Sequence, residues 1–115
     1  MKEIRMSKNS LKAIPIVAID SATFVAGTYV PFCTGLEQAC GIVRIINNCS
    51  EDIFLSYDGI NDNDFIQAGW EYYLYAQMNA QPTSNVALAP KGMKIYIKAN
   101  AGIGNCYLIG YYQES

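Results

Sequence analysis

Met93, Ile95, Ile97 and Ala99 alternate with Lys94, Tyr96 and Lys98. Successive side chains of a strand point to opposite faces, so this spacing predicts an antiparallel strand with one apolar face. Pro90-Lys91-Gly92 ahead of it is a turn, because proline fixes φ and glycine accepts positive φ. Trp70 to Ala76 has the same period, with Trp70, Tyr72 and Leu74 on one face and Glu71, Tyr73 and Tyr75 on the other. Gly41 to Asn47 and Asp52 to Asp58 read as two further strands. Asn48-Cys49-Ser50-Glu51, whose side chains hydrogen-bond locally, predicts a tight reversal between them. Cys106 to Tyr112 is apolar on both faces, as an interior or an interface strand is. Ala13 to Ile19 and Thr23 to Pro31 are lesser strand candidates, and no window of a dozen residues carries a helical repeat.

About seven or eight short strands separated by turn residues predict an all-β fold. The architecture expected is a single antiparallel β-sandwich of jelly-roll or Greek-key type. Residues 1–12 read as a basic N-terminal arm and 13–115 as the sandwich domain, with no internal repeat or linker. The 115 residues suffice for one core, and 51% hydrophobic against 16% charged residues fits a folded domain rather than disorder.

No apolar run is long enough to span a bilayer; the longest, Ala13 to Ile19, contains Pro15 and ends at Asp20. MKEIRMSKNSLK lacks the apolar segment and small-residue cleavage site of a signal peptide, so conventional export and a membrane partner are not expected. A net charge of −2 argues against bulk attraction to nucleic acid. The charge is divided along the chain. Lys2, Arg5, Lys8 and Lys12 sit near one end, whereas Glu51, Asp52, Asp58, Asp62, Asp64 and Glu71 follow one another with no base between them. Arm and acidic middle are thereby suited to meet between copies, or else they are a solvated terminus and solvated loops.

The chain contains no histidine. That removes the commonest general base, the imidazole zinc ligands and the histidine-dependent nucleophile arrangements, so no catalytic residue, no cofactor and no enzymatic role are expected. Asp58, Asn61, Asp62 and Asp64 are the candidate calcium ligands, but their spacing departs from the EF-hand loop and their residue types are also turn formers. Cys33, Cys40, Cys49 and Cys106 are too widely spaced for a zinc site. Cys33 and Cys40 flank a loop containing Gly35 and form the local pair for a disulfide; the alternative is that the cysteines are small buried hydrophobes, free while the chain stays in a cytoplasm. Asn48-Cys49-Ser50 is formally a glycosylation sequon, relevant only in a eukaryotic secretory setting.

Nine tyrosines are many for this length. Tyrosine joins apolar area to a hydroxyl and is enriched where subunits meet. Trp70, Tyr72, Tyr73, Tyr75, Tyr96, Tyr111 and Tyr112, with Lys2, Arg5, Lys8 and Lys12, are therefore the interface candidates. The alternative is a sugar-binding face lined by Tyr72, Tyr73, Tyr75, Tyr107, Tyr111 and Tyr112.

GIVRIINN (Gly41 to Asn48), DIFLSYDGINDNDF (Asp52 to Phe65), the Ala68-Gly69 turn, PKGMKIYIK (Pro90 to Lys98) and the Tyr-rich stretch Gly104 to Tyr112 occur in that order. In this order the chain resembles a family of small virion proteins of tailed bacteriophages over about two-thirds of its length. The resemblance implies a jelly-roll-like sandwich present in many copies, on the head, at the collar or neck, or at a fibre base. It implies a structural role: a homo-oligomer docked on other virion proteins and assembled in the host bacterial cytoplasm. Cys49 departs from the family's hydroxyl or acidic residue in the strand-connecting turn. The rival expectations are a carbohydrate-binding, receptor-recognising module and a secreted disulfide-rich domain.

Overall fold

The computed structural model describes residues 10–75 and 89–114. They form β1 (Ser10–Ala13), β2 (Val17–Asp20), β3 (Val30–Cys33), β4 (Ile42–Cys49), β5 (Ile53–Ser56), β6 (Asp64–Ile66), β7 (Glu71–Tyr75), β8 (Ile95–Lys98) and β9 (Gly104–Glu114). The strand pairing follows one rule: β5 pairs with β6, β4 with β7, β3 with β8 and β2 with β9, all antiparallel. The chain is thus one long doubled ribbon with its tip between β5 and β6. Alternate pairs of the ribbon lie in opposite sheets, joined along β4·β9 and β5·β8. A ribbon rolled in this way is a jelly roll, with sheet orders β1-β9-β4-β7 (β2 also on β9) and β3-β8-β5-β6.

Alternation along each strand builds the core. Val43 and Ile45 of β4 and Cys106 and Leu108 of β9 face Ile53, Leu55, Ile95 and Ile97 of the other sheet, and all are fully buried. Met93 to Ala99 behaves as its sequence predicts. Ile95 and Ile97 are buried and Tyr96 and Lys98 are half-buried, although the strand itself spans only Ile95–Lys98.

The remaining elements differ from the sequence expectation for identifiable reasons. Pro15 has no N–H to give a ladder, so Ala13 to Ile19 is split into the end of β1 and most of β2, both on the same edge of β9. The boundary drawn after residue 12 therefore falls inside β1, and residues 1–9 lie outside the described residues. In Thr23 to Pro31 the chain first makes a short 3-10 turn, Ser21–Thr23, whose start is capped by Asp20 accepting from Ala22 N at 3.0 Å. A tight turn through Gly27 (φ 75°) follows, and β3 begins only at Val30. The expected reversal at Asn48–Glu51 is shorter and is not a hairpin. Asn48 and Cys49 stay in β4, paired with Asn105 and Gly104, and the chain then crosses to the opposite sheet. Trp70 precedes β7, and Ala76 lies outside the described residues. Among the described residues no helix is long and apolar enough to cross a membrane.

Candidate interaction surface

The outward-facing residues of β7, β4 and β9 lie in register as three rows: Tyr75–Ile42–Tyr111, Tyr73–Arg44–Ile109 and Glu71–Ile46–Tyr107. Of these nine positions, four are Tyr and three are Ile. The two charges neutralise each other, Arg44 Nε donating to Glu71 Oε1 at 2.7 Å. The guanidinium also lies 5.7 Å from the centre of the Tyr73 ring, which stacks on Tyr75 at 5.8 Å and 15°. The hydrogen bond from Arg44 holds the Glu71 carboxyl below its ordinary range, and the bonds to Glu71 and Tyr111 raise the guanidinium. The result is a face of no net charge on the outside of a sandwich, where charged residues ordinarily sit.

Of the interface candidates, Tyr73, Tyr75 and Tyr111 meet on this face. The others do not. Tyr72 and Tyr112 point inward against the core. Tyr96 lies on the outside of the other sheet, with Gly59 beneath its ring. Lys12 is exposed in β1, and Lys2, Arg5 and Lys8 fall outside the described residues. Tyr107, one of the rings named in the sequence as a sugar-binding or interface candidate, also lies on this face. Ile42, Ile46 and Ile109, with the Arg44–Glu71 pair, complete it and were not singled out from sequence; for Ile109 the signal was the two-sided apolar character of Cys106 to Tyr112.

The outside of the four-stranded sheet is built differently. Phe54 and Phe65, cross-strand partners, meet with ring centres 5.1 Å apart. Lys98 Nζ lies 5.5 Å from the Phe54 ring centre and 4.8 Å from that of Tyr29, and it pairs with Asp62 Oδ1 at 2.9 Å. A cleft of about 350 Å³ runs between Phe54, Phe65, Lys98 and Asn100. A second, of about 300 Å³, lies between Phe65, Gln67 and Trp70, whose side chain is 65% exposed.

The three acidic candidates for calcium have separate partners. Asp58 Oδ1 accepts from Ile60 N at 2.8 Å, Asn61 N at 2.9 Å and Ser56 Oγ at 2.8 Å, and Oδ2 accepts from Asn61 Nδ2 at 2.8 Å. These bonds, those from Asn61 and Ile60 foremost, hold its carboxyl well below the usual carboxylate range. Asp62 is engaged by Lys98 and by the Tyr29 hydroxyl. Asp64 accepts from the Tyr57 hydroxyl, and burial, with Asp64 beside it, raises Tyr57 far above its ordinary range. Among the described residues no group of three or more His, Cys, Asp or Glu is close enough to hold a metal ion. The segment Asp58 to Asp64 is a closed turn that carries the ribbon from β5 to β6.

All four cysteines are buried free thiols, so Cys33 and Cys40 are not bonded to each other. Cys33 Sγ lies 3.9 Å from Met93 O, and Cys40 Sγ is 3.3 Å from Gln38 O and fills the space left by the missing side chain of Gly110. The thiols that converge are Cys49 and Cys106, with Sγ atoms 3.8 Å apart. Fully buried Asn47 organises them. Its Oδ1 accepts from Cys49 Sγ at 3.0 Å, Cys106 Sγ at 3.5 Å and Cys49 N at 3.2 Å. Its Nδ2 donates to Glu51 O at 2.8 Å and Ile66 O at 3.1 Å, so every polar atom of the amide is satisfied.

No family model matches the sequence, and no curated protein matches it. Among solved structures the fold is similar to that of the SPP1 Dit protein, described as a paradigm of the hub adsorption apparatus in phages that infect Gram-positive bacteria. The TM-score is 0.43 at 14% sequence identity, over 89% of this chain and 49% of that one. The chain thus spans about half the length of that protein. A likeness of this degree transfers neither topology nor role, and the jelly roll stands on its own strand pairing.

Proposed function

We propose that the chain is a structural component of a bacteriophage virion, a homo-oligomerising decoration or connector protein docked on other capsid, neck or tail proteins. The observation that carries the docking mode is the neutral Tyr/Ile face of β7, β4 and β9. Tyrosine and isoleucine in one array lose little on desolvation and gain contact area, and the internal Arg44–Glu71 pair leaves no charge that a neighbour must match. The first occupant of this face is a second copy of the chain. The phage setting is supported by the order of the five sequence pieces from Gly41 to Tyr112. In this reading the protein acts by packing and catalyses nothing, and assembly takes place in the host bacterial cytoplasm.

Light scattering of the purified protein over a concentration series tests the reading: oligomers are expected, and placing a carboxylate at Tyr73 or Ile109 dissociates them. A monomer at every concentration overturns the self-association. The basic arm adds a salt-dependent contribution, tested by deleting residues 1–9; a longer deletion would remove part of β1 as well.

A second reading has its own observation. Exposed Trp70 and Phe65 flank a cleft with Gln67, an arrangement that suits stacking on a sugar ring. Glycan-array binding that is lost in Trp70→Ala would favour a carbohydrate-binding module.

A further inference from the structure

We infer that Cys49 and Cys106 form an intramolecular cross-link site, closing to a disulfide when the protein passes from a reducing to an oxidising environment. The inference does not depend on the phage reading. In the β4·β9 ladder Cys49 stands opposite Gly104 and Asn47 opposite Cys106, so the two cysteines are inward-facing diagonal neighbours on adjacent strands. Their sulfur atoms, 3.8 Å apart, are in van der Waals contact. A disulfide requires about 2 Å between sulfurs, so the pair closes by a little under 2 Å from its present contact. Asn47 Oδ1, accepting from both thiols, keeps the sulfurs turned toward one point.

The other two cysteines lack this geometry. Cys33 and Cys40 direct their thiols at different backbone carbonyls, those of Met93 and Gln38. Gly104 is part of the device. It lies at φ +96° at the start of β9, where an added Cβ would collide with Asn48 O and reach 3.1 Å from Cys49 Cα. Only a residue without a side chain brings β9 this close to the end of β4. Burial, with Cys49 alongside, raises the Cys106 thiol far above its ordinary range, so the closed fold protects the pair and oxidation proceeds through local opening of this end.

The oxidant is a small-molecule disulfide of the oxidised-glutathione class. One cysteine loses its proton to solvent and its thiolate attacks the glutathione disulfide, forming a mixed disulfide and expelling a glutathione thiolate. The second cysteine, likewise deprotonated, attacks the protein sulfur of that mixed disulfide and expels the other glutathione thiolate. Two protein thiols are oxidised to one S–S bond, one glutathione disulfide is reduced to two thiols, and the two protons balance.

The folded full chain is incubated with excess oxidised glutathione at urea concentrations below its unfolding transition, alkylated, and analysed by intact mass and peptide mapping. Two of the four cysteines should escape alkylation, with Cys49 and Cys106 in one linked peptide pair. The thermal midpoint should rise on oxidation and return with dithiothreitol. The double variant C33S/C40S should form the same link, and Cys49→Ala should leave its remaining thiols alkylated. A link between any other pair, glutathione adducts without an internal bond, or alkylation of all four thiols overturns the inference.

Discussion

Lys98 Nζ lies 2.9 Å from Asp62 Oδ1, so the acid-rich turn is answered by a strand of its own chain. The same lysine spans the Tyr29 and Phe54 rings, tying the β5–β6 turn, the β2–β3 connection and β8 together. Lys98→Met removes a partly exposed ion pair and leaves the stem to cover the rings. The expected loss is under about 1 kcal/mol by chemical denaturation, smaller still in high salt. A loss of several times that size would mean that the pair, and not the rings, holds the turn.

The Tyr/Ile face predicts a separation of assembly from folding. The double change Tyr73→Glu with Ile109→Glu alters outward side chains only, so the thermal midpoint should stay within a few degrees while the oligomer falls to monomer. Scattering mass and thermal unfolding measured on one sample check both halves. A monomer that is also unfolded would place these residues in the core instead.

Asn47→Ala removes the amide that satisfies Glu51 O, Ile66 O and Cys49 N at one end of the core. Stranded buried polar groups cost about 1–3 kcal/mol each where water cannot reach them, so a loss of roughly 2 kcal/mol or more is expected. Asn47→Asp should be no better, since a buried carboxylate offers no donor to the two carbonyls. Urea unfolding of both variants decides the matter.

Much of the scaffold is legible in local pattern. The period of two in Met93 to Ala99 and in Glu71 to Tyr75 separated the two faces, Trp70 excepted, which precedes the strand and is exposed, and the two-sided apolar character of Cys106 to Tyr112 marked a strand that is buried on one side and apolar on the other. What could not be read depends on register. Whether Tyr72 or Tyr73 faces out is decided by the β4 partner, and the meeting of Cys49 with Cys106 needs two strands distant in sequence to pair at one particular offset. β6 escaped because three residues are too few to show a period, and Asp64 looks like a turn residue until the Tyr57 hydroxyl is seen to bind it.

Stability should fall at both ends of the pH scale for different reasons. The hydrogen bonds to Asp58 favour its charged form in the fold, so their contribution is present above the ordinary value of 3.8 and is lost as pH drops below it. Burial and Asp64 favour the neutral Tyr57, so that contribution is present below the ordinary value of 10.0 and is lost as pH rises beyond it and the unfolded chain ionises. Thermal midpoints from pH 2 to pH 11 should fall at both extremes, with Asp58→Asn shallower on the acid side and Tyr57→Phe shallower on the alkaline side. Parallel curves for the variants and the parent would contradict this.

Gly104→Ala introduces a side chain at positive φ into contact with Asn48 and Cys49. A loss of about 1–3 kcal/mol is expected from the backbone strain alone. Because β9 must move away from β4, the Cys49–Cys106 link should also form more slowly under oxidised glutathione. Unchanged linkage kinetics would separate the glycine from the thiol pair.

β9 supplies the hydrogen-bonding partner for β1, β2 and β4, and it is the last described strand to be synthesised. On a ribosome β1 and β2 therefore have no strand to pair with, and the Tyr/Ile array lacks its β9 column, until residues 104–114 emerge. The outer face of β7, β4 and β9 is complete only once β9 has paired, so under the proposed self-association the topology places folding before assembly.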